Sequence, residues 1–189
     1  MTLSIASTDI TLGIFAGGRA SRLGGIDKAW AVFQGQPLIE RTVLAVSDDF
    51  AAILVSANRH ADRYAALKLQ AVADRLPDHP GPLAGLDAML AICDTDWLLT
   101  VPVDVRNLPG NLVVRMCAAD RNGAVAQDSD GLQPLVALWP VARSRVAVAQ
   151  ALAQGERAVH RVIEQLALSI VRFDDAHFGN LNTPDDFLE

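Results

Sequence analysis

Cysteine is nearly absent from the sequence: Cys93 and Cys117 are the only two in 189 residues. They fit neither a disulfide framework nor the paired spacing of a metal knuckle. Long hydrophobic runs are also missing. The mean hydropathy is +0.23, yet no apolar run approaches the roughly 20 residues that a membrane-spanning helix needs. Met1 to Asp9 has no basic stretch leading into an apolar one, so no secretory signal is expected. Positive charge is scarce as well, with 16 basic against 22 acidic residues and a net charge of −6. That balance argues against general nucleic-acid binding, which depends on many Lys or Arg contacts to phosphates. A cytoplasmic protein without nucleic-acid or membrane partners is expected.

Lysine is the scarcest charged residue. Fourteen of the 16 basic positions are Arg, and only Lys28 and Lys68 are Lys. What the chain does have is apolar content, 51% of its residues. A chain of this size can bury roughly 70% of its unfolded surface, enough for one sizeable core. No repeat or linker divides it, so a single domain over residues 1–189 is expected.

Strand and helix signals alternate almost throughout. Ile10 to Ala16 reads as a buried strand ending in Gly17-Gly18. Further strands are expected at Phe50 to Val55, Leu69 to Ala73 and Trp97 to Val103, where Pro102 marks a strand end or an edge. Two short strands, Ala124 to Gln127 and Leu135 to Leu138, flank the turn Asp128-Ser129-Asp130-Gly131, and Leu168 to Phe173 is a last one. Helical spacing covers Pro37 to Val46, Pro82 to Ile92, Asn111 to Ala119, Val141 to Ala153 and Ala158 to Leu166, with a final turn at Thr183-Pro184. This order predicts an α/β fold of three layers, with a mixed, mostly parallel central sheet. Ligands of such sheets sit at the carboxyl ends of the strands, near the switch in strand order.

The most unusual segment is Gly17-Gly18-Arg19-Ala20-Ser21-Arg22-Leu23-Gly24-Gly25-Ile26-Asp27-Lys28. It holds four of the 13 glycines and three of the basic residues, directly after the first strand. Glycine permits close approach of backbone N–H groups to phosphates, and Arg19, Arg22 and Lys28 supply local positive charge. A solvated surface loop has the same composition. Two better-known phosphate loops do not match. A dinucleotide-binding G-x-G-x-x-G starting at Gly17 meets Arg19 where glycine is needed, and three residues separate Gly24 from Lys28 where the Walker pattern allows none.

Other polar positions are ambiguous when taken alone. Asp104 ends an apolar strand, so it reads as a turn or N-cap aspartate or as a Mg2+ ligand. Asp74 is a strand-end residue. Asn180 and Asn182 lie in a polar stretch before Pro184. His60, His79, His160 and His177 have no ligand spacing and are taken as surface or structural residues. Gly155-Glu156-Arg157 reads as a helix start. No Ser-His-Asp or Cys-His set is evident.

Together these segments resemble the molybdenum cofactor guanylyltransferases, within the MobA-like nucleotidyltransferases. The likeness is carried by Phe15-Ala16-Gly17-Gly18, Arg22-Leu23-Gly24-Gly25 and Asp27-Lys28, and by Ala57-Asn58-Arg59-His60 and Gly81-Pro82-Leu83-Ala84-Gly85. Val103-Asp104, Gly155-Glu156-Arg157 and Asn180-Leu181-Asn182-Thr183-Pro184 continue it in order. The resemblance implies transfer of GMP from GTP to molybdopterin, with Mg2+ as cofactor. It implies molybdoenzyme apoproteins or cofactor-delivery proteins as partners. Lys28, Asp104 and Arg22 become the catalytic residues. Phe15, Ala16, Gly17, Gly18, Lys28, Ser56, Asp74 and Asp104 become the nucleotide contacts, and Asp104 and Asn182 the metal ligands. Arg157 becomes a further basic residue for the acceptor phosphate.

Three departures from the family pattern stand out. Ser56 occupies a position where the family has Asn, and offers one hydroxyl in place of an amide. Val105-Arg106 follows the aspartate where the family has Thr or Met and then Pro. Phe15 and Leu23 replace Leu and Met. A cytidylyltransferase or a sugar-phosphate nucleotidyltransferase of the same fold, and a non-enzymatic nucleotide sensor or delivery protein, remain the competing readings.

Overall fold

A computed structural model describes residues 5–16, 27–46, 48–76, 81–119 and 121–188. Its frame is a seven-stranded sheet. Strand β1 (Ile10–Phe15) runs parallel to β4 (Ala52–Ser56) on one side and to β6 (Trp97–Pro102) on the other. Strand β5 (Gln70–Val72) extends the β4 side in parallel and forms one edge. Beyond β6 the long strand β8 (Gly131–Pro140) is antiparallel, followed by β7 (Ala124–Asp128) and the parallel edge strand β9 (Ser169–Arg172). The sheet is mixed and mostly parallel, as the alternating pattern predicts.

Pleating sorts the side chains of these strands into two cores. Ile10, Leu12 and Ile14 of β1 and Leu99 and Val101 of β6 face α1 (Leu38–Ala45) and α4 (Leu112–Cys117). Tyr64 of the short α2 (Ala61–Ala66) joins the same cluster. Phe15, Leu54 and Leu98 face the other way, onto α3 (Pro82–Ile92), α5 (Val141–Ala153) and α6 (Val159–Leu166). The result is an α/β/α sandwich. On the α3 side Gly13 lets the helix approach, because a β-carbon there would meet Met89 Sδ at 3.0 Å. The indole of Trp139 is fully buried and donates to Thr100 Oγ1 at 2.8 Å, so no polar group is stranded there.

Three regions differ from the sequence expectation. Strand β8 starts four residues earlier than Leu135, because a bulge between Val125 and Ala126 absorbs Pro134. A proline cannot donate to a ladder, and a bulge is where a sheet tolerates one. The hairpin β2 (Val32–Phe33) and β3 (Gln36–Pro37) and the helix α2 were not foreseen. The hairpin turns through Gln34 and Gly35 at φ 51° and 81°, the left-handed pair that a two-residue turn demands.

The chain crosses from the β5 edge back over β1 to build β6, so the strand order reverses beside β1. The carboxyl ends of β1, β4 and β6 therefore meet at one rim. Backbone bonds close it: Ala16 N donates to Ser56 O at 3.2 Å and Val103 N to Phe15 O at 3.0 Å.

Candidate active site

Four segments converge on that rim. Asp27 caps a single 3-10 turn, Lys28–Trp30, its carboxylate accepting from Ala29 N at 3.2 Å. Trp30 fixes the turn by packing on Tyr64, with ring centroids 5.1 Å apart, while the Arg63 guanidinium covers it at 3.8 Å. Burial pushes the Tyr64 phenol well above its ordinary range, so this anchor stays neutral.

The turn aims Lys28 at Asp104, which follows β6. Lys28 Nζ lies 2.5 Å from Asp104 Oδ2 and donates to Asn182 Oδ1 at 2.8 Å. Residues 76 and 154 positions away in sequence thus share one ammonium group. Asp104 is held from behind, with Thr42 Oγ1 3.2 Å from the carbonyl of Val103.

Asn182 is delivered by a strap of extended chain. Arg106 N donates to Gly179 O at 3.2 Å, Asn107 N to Phe178 O at 3.0 Å and Leu181 N to Asp104 O at 2.9 Å, around a bridge between Val105 and Asn180. This pairing gives Arg106 a role that proline could not fill, because proline has no N–H for Gly179. Past the strap, Asp186 accepts from Asn182 N at 2.8 Å and Thr183 N at 2.7 Å. Those backbone donors, with the Thr183 hydroxyl, hold the Asp186 carboxyl below its ordinary value.

A second anchor of the strap escaped sequence reasoning. Asp128, only 4% exposed, accepts from Phe178 N at 2.7 Å, Gln133 Nε2 at 2.9 Å and Asp130 N at 3.0 Å. Its turn also places His177 Nδ1 3.1 Å from Asp130 Oδ2. A carboxylate oxygen from each of Asp128 and Asp130 and a ring nitrogen of His177 fall within 4.8 Å of one another. Both Asp128 oxygens are already engaged by protein N–H groups, which makes that carboxylate a turn anchor. Only folding brings positions 128 and 177 together, so no spacing could reveal the group.

The other expected contacts line the β4 side of the rim. Ser56 and Ala16 are each 5% exposed. Phe15 points its ring into the core beneath α3, near Gly85, so only its backbone belongs to the rim. Asp74 and Asn58 bond reciprocally: Asn58 Nδ2 donates to Asp74 Oδ2 at 3.0 Å, and Asp74 N to Asn58 Oδ1 at 2.8 Å. Asn58 thus orients Asp74, a role unassigned from the sequence. Arg157 is exposed between α5 and α6. Gly17, Gly18 and Arg22 lie outside the described residues.

Asp104 and Asn182 offer oxygen donors of the kind a Mg2+ ion takes. That a cationic ammonium fits between them shows the pair can hold positive charge.

The model of the MobA-like NTP transferase domain matches residues 12–170, most of the sheet and its flanking helices. The chain belongs to this nucleotidyltransferase family. A molybdenum cofactor guanylyltransferase from Cupriavidus pinatubonensis is 38% identical over 192 residues, covering 96% of each chain. Among solved structures, molybdopterin-guanine dinucleotide biosynthesis protein A from Archaeoglobus fulgidus superposes with a TM-score of 0.70 at 19% identity, over 94% of both chains. The 2-C-methyl-D-erythritol 4-phosphate cytidylyltransferase from Thermus thermophilus superposes with a TM-score of 0.69 at 19% identity, over 93% of this chain and 94% of that one. The fold alone therefore does not choose the base. No helix among the described residues is long and apolar enough to cross a membrane.

Proposed function

We propose that this nucleotidyltransferase moves GMP from GTP to the phosphate of molybdopterin and releases pyrophosphate. The carrying observation is the meeting of Lys28, Asp104 and Asn182 at the carboxyl end of β6, in a chain 38% identical to a molybdenum cofactor guanylyltransferase. An oxygen of the molybdopterin phosphate attacks the α-phosphorus of GTP, a new P–O bond forms, and the bond to pyrophosphate breaks. Such a displacement needs positioning and charge stabilisation, not a protein nucleophile. Lys28 supplies a compact positive charge to the triphosphate, and Arg22 adds a second. Gly17 and Gly18 would offer backbone N–H groups to the phosphates, next to Ala16, whose own N–H is bonded to Ser56 O. Ser56 and Asp74, the latter oriented by Asn58, form the nucleoside side of the rim. Mg2+ held by Asp104 and Asn182 would neutralise charge on the reacting phosphates. Cys93 and Cys117 are buried free thiols, which suits work in the cytoplasm.

The test is pyrophosphate release with molybdopterin as acceptor and GTP, CTP, ATP or UTP as donor. GTP is expected to be used best. A preference for CTP would establish the cytidylyl alternative. Tight GTP binding with no pyrophosphate from the proper acceptor would establish a sensor or delivery protein instead.

A further inference from the structure

Lys28 Nζ is the positive charge that the structure places between the Asp104 carboxylate and the Asn182 side-chain carbonyl, at 2.5 Å and 2.8 Å. These are the same two oxygens that the proposed function gives to a divalent ion. The ion pair is largely shielded, with side-chain exposures of 15% for Lys28 and 20% for Asp104. An ammonium group and a divalent ion cannot both sit on the Asp104 and Asn182 oxygens, because like charges would lie within bonding distance of each other. Lysine carries its charge on a flexible four-carbon stem, so it can leave without any backbone change. Leaving has a cost unless another anion receives it. The carboxylates nearest along the chain and strap are committed elsewhere: Asp27 caps its own turn, and Asp186 holds the Asn182 and Thr183 backbone.

We propose that Lys28 is a built-in competitor for the divalent ion, so that metal and nucleotide enter this site together. The triphosphate is the anion that draws Lys28 from Asp104 and Asn182 and frees both oxygens. The species taken from solution is then the metal–nucleotide complex, and free metal is excluded. Linkage makes the effect mutual: the factor by which nucleotide tightens metal binding is the factor by which metal tightens nucleotide binding. This inference rests on the reading of Asp104 as a metal ligand.

The probe is Mn2+, with the free ion counted by electron paramagnetic resonance. It is titrated into the full chain with and without a GTP analogue whose α,β-bridge is a methylene group. Without nucleotide, Lys28→Met should bind Mn2+ about tenfold or more tightly than the unaltered protein. The analogue should tighten Mn2+ binding to the unaltered protein by about tenfold or more, and to Lys28→Met by much less. Adding Asp104→Asn to Lys28→Met should abolish the gain. If Lys28→Met fails to fold by circular dichroism, Lys28→Gln removes the charge while keeping a donor for Asn182. Equal Mn2+ affinity of the nucleotide-free proteins, with Asp104-dependent binding once the analogue is present, would overturn the competition and leave the metal assignment standing. Absence of Asp104-dependent Mn2+ binding in every form would overturn both.

Discussion

Gly85 in α3 lies directly against Ser56 at the end of β4: a β-carbon on the glycine would come 2.4 Å from the Ser56 hydroxyl oxygen and 3.2 Å from its Cβ. A helical glycine is normally a cost of about 1 kcal/mol relative to alanine. Here it permits a close approach between α3 and the β4 side of the rim. Gly85→Ala should therefore destabilise the protein by about 1–3 kcal/mol through overpacking, despite its better helix propensity. Ser56→Gly removes the atoms that collide. In denaturant titrations the double variant should be more stable than the sum of the two single losses by about 1 kcal/mol. Strict additivity would mean that the two positions do not press on each other.

Asp104 is the position at which charge should matter most and structure least. It follows a strand and is partly exposed, so Asp104→Asn keeps the shape and the thermal transition. It removes the counter-charge of Lys28 and, in the proposed reaction, the anionic ligand for the metal. Turnover of GTP with molybdopterin should fall on the order of 10²-fold or more. Near-normal metal-dependent turnover would remove Asp104 from the reaction.

The legible part of this fold is the part written in local periodicity. The bounds of α3 and α5 match the expected Pro82 to Ile92 and Val141 to Ala153, because apolar spacing is read within one turn and Pro82 marks a helix start. Strands β1 and β6 were equally plain, since a strand buried on both faces is a continuous apolar run. Lys28 stood out by composition, as a lysine among arginines in a glycine-rich loop. The supports of the site were not legible. Asp128 reaches Phe178 across 50 positions and Asn58 reaches Asp74 across 16, and neither bond leaves a periodic trace. Arg106 departs from the family pattern, and only the folded chain gives its N–H a partner, Gly179 O.

The carboxyl of Asp128 sets an acid limit on the strap. Burial alone would push its pKa up, but the N–H donors of Phe178, Gln133 and Asp130 outweigh burial and bring it below the ordinary 3.8. The unfolded chain then binds this proton more readily than the folded one. The resulting stability is present in full above about pH 4 and is lost as pH falls through the lower folded value. Asp128→Asn turns an amide toward those donors and should cost about 1–3 kcal/mol at neutral pH. Urea titrations should show this gap shrinking below about pH 4. A gap that stays constant from neutral pH to pH 3 would mean that the charge contributes nothing.

Lysine at position 28 should not be replaceable by arginine. Its ammonium rests between Asp104 and Asn182 at 2.5 Å and 2.8 Å, and from that narrow space it must reach the triphosphate as a compact charge. A guanidinium is a broad planar fork, so it would keep the charge and displace it. Lys28→Arg should lower GTP turnover by about tenfold or more, and Lys28→Ala by more still, since the phosphates then lose the charge altogether. Lys68 provides the comparison within the same chain. It is exposed in the turn after α2, with its backbone N–H bonded to Ala65 O at 2.9 Å and its side chain outside the rim. Lys68→Arg should change turnover and GTP affinity little. Steady-state kinetics and GTP binding of the three variants decide the matter. If Lys28→Arg behaves like Lys68→Arg, the narrow space between Asp104 and Asn182 does not select lysine.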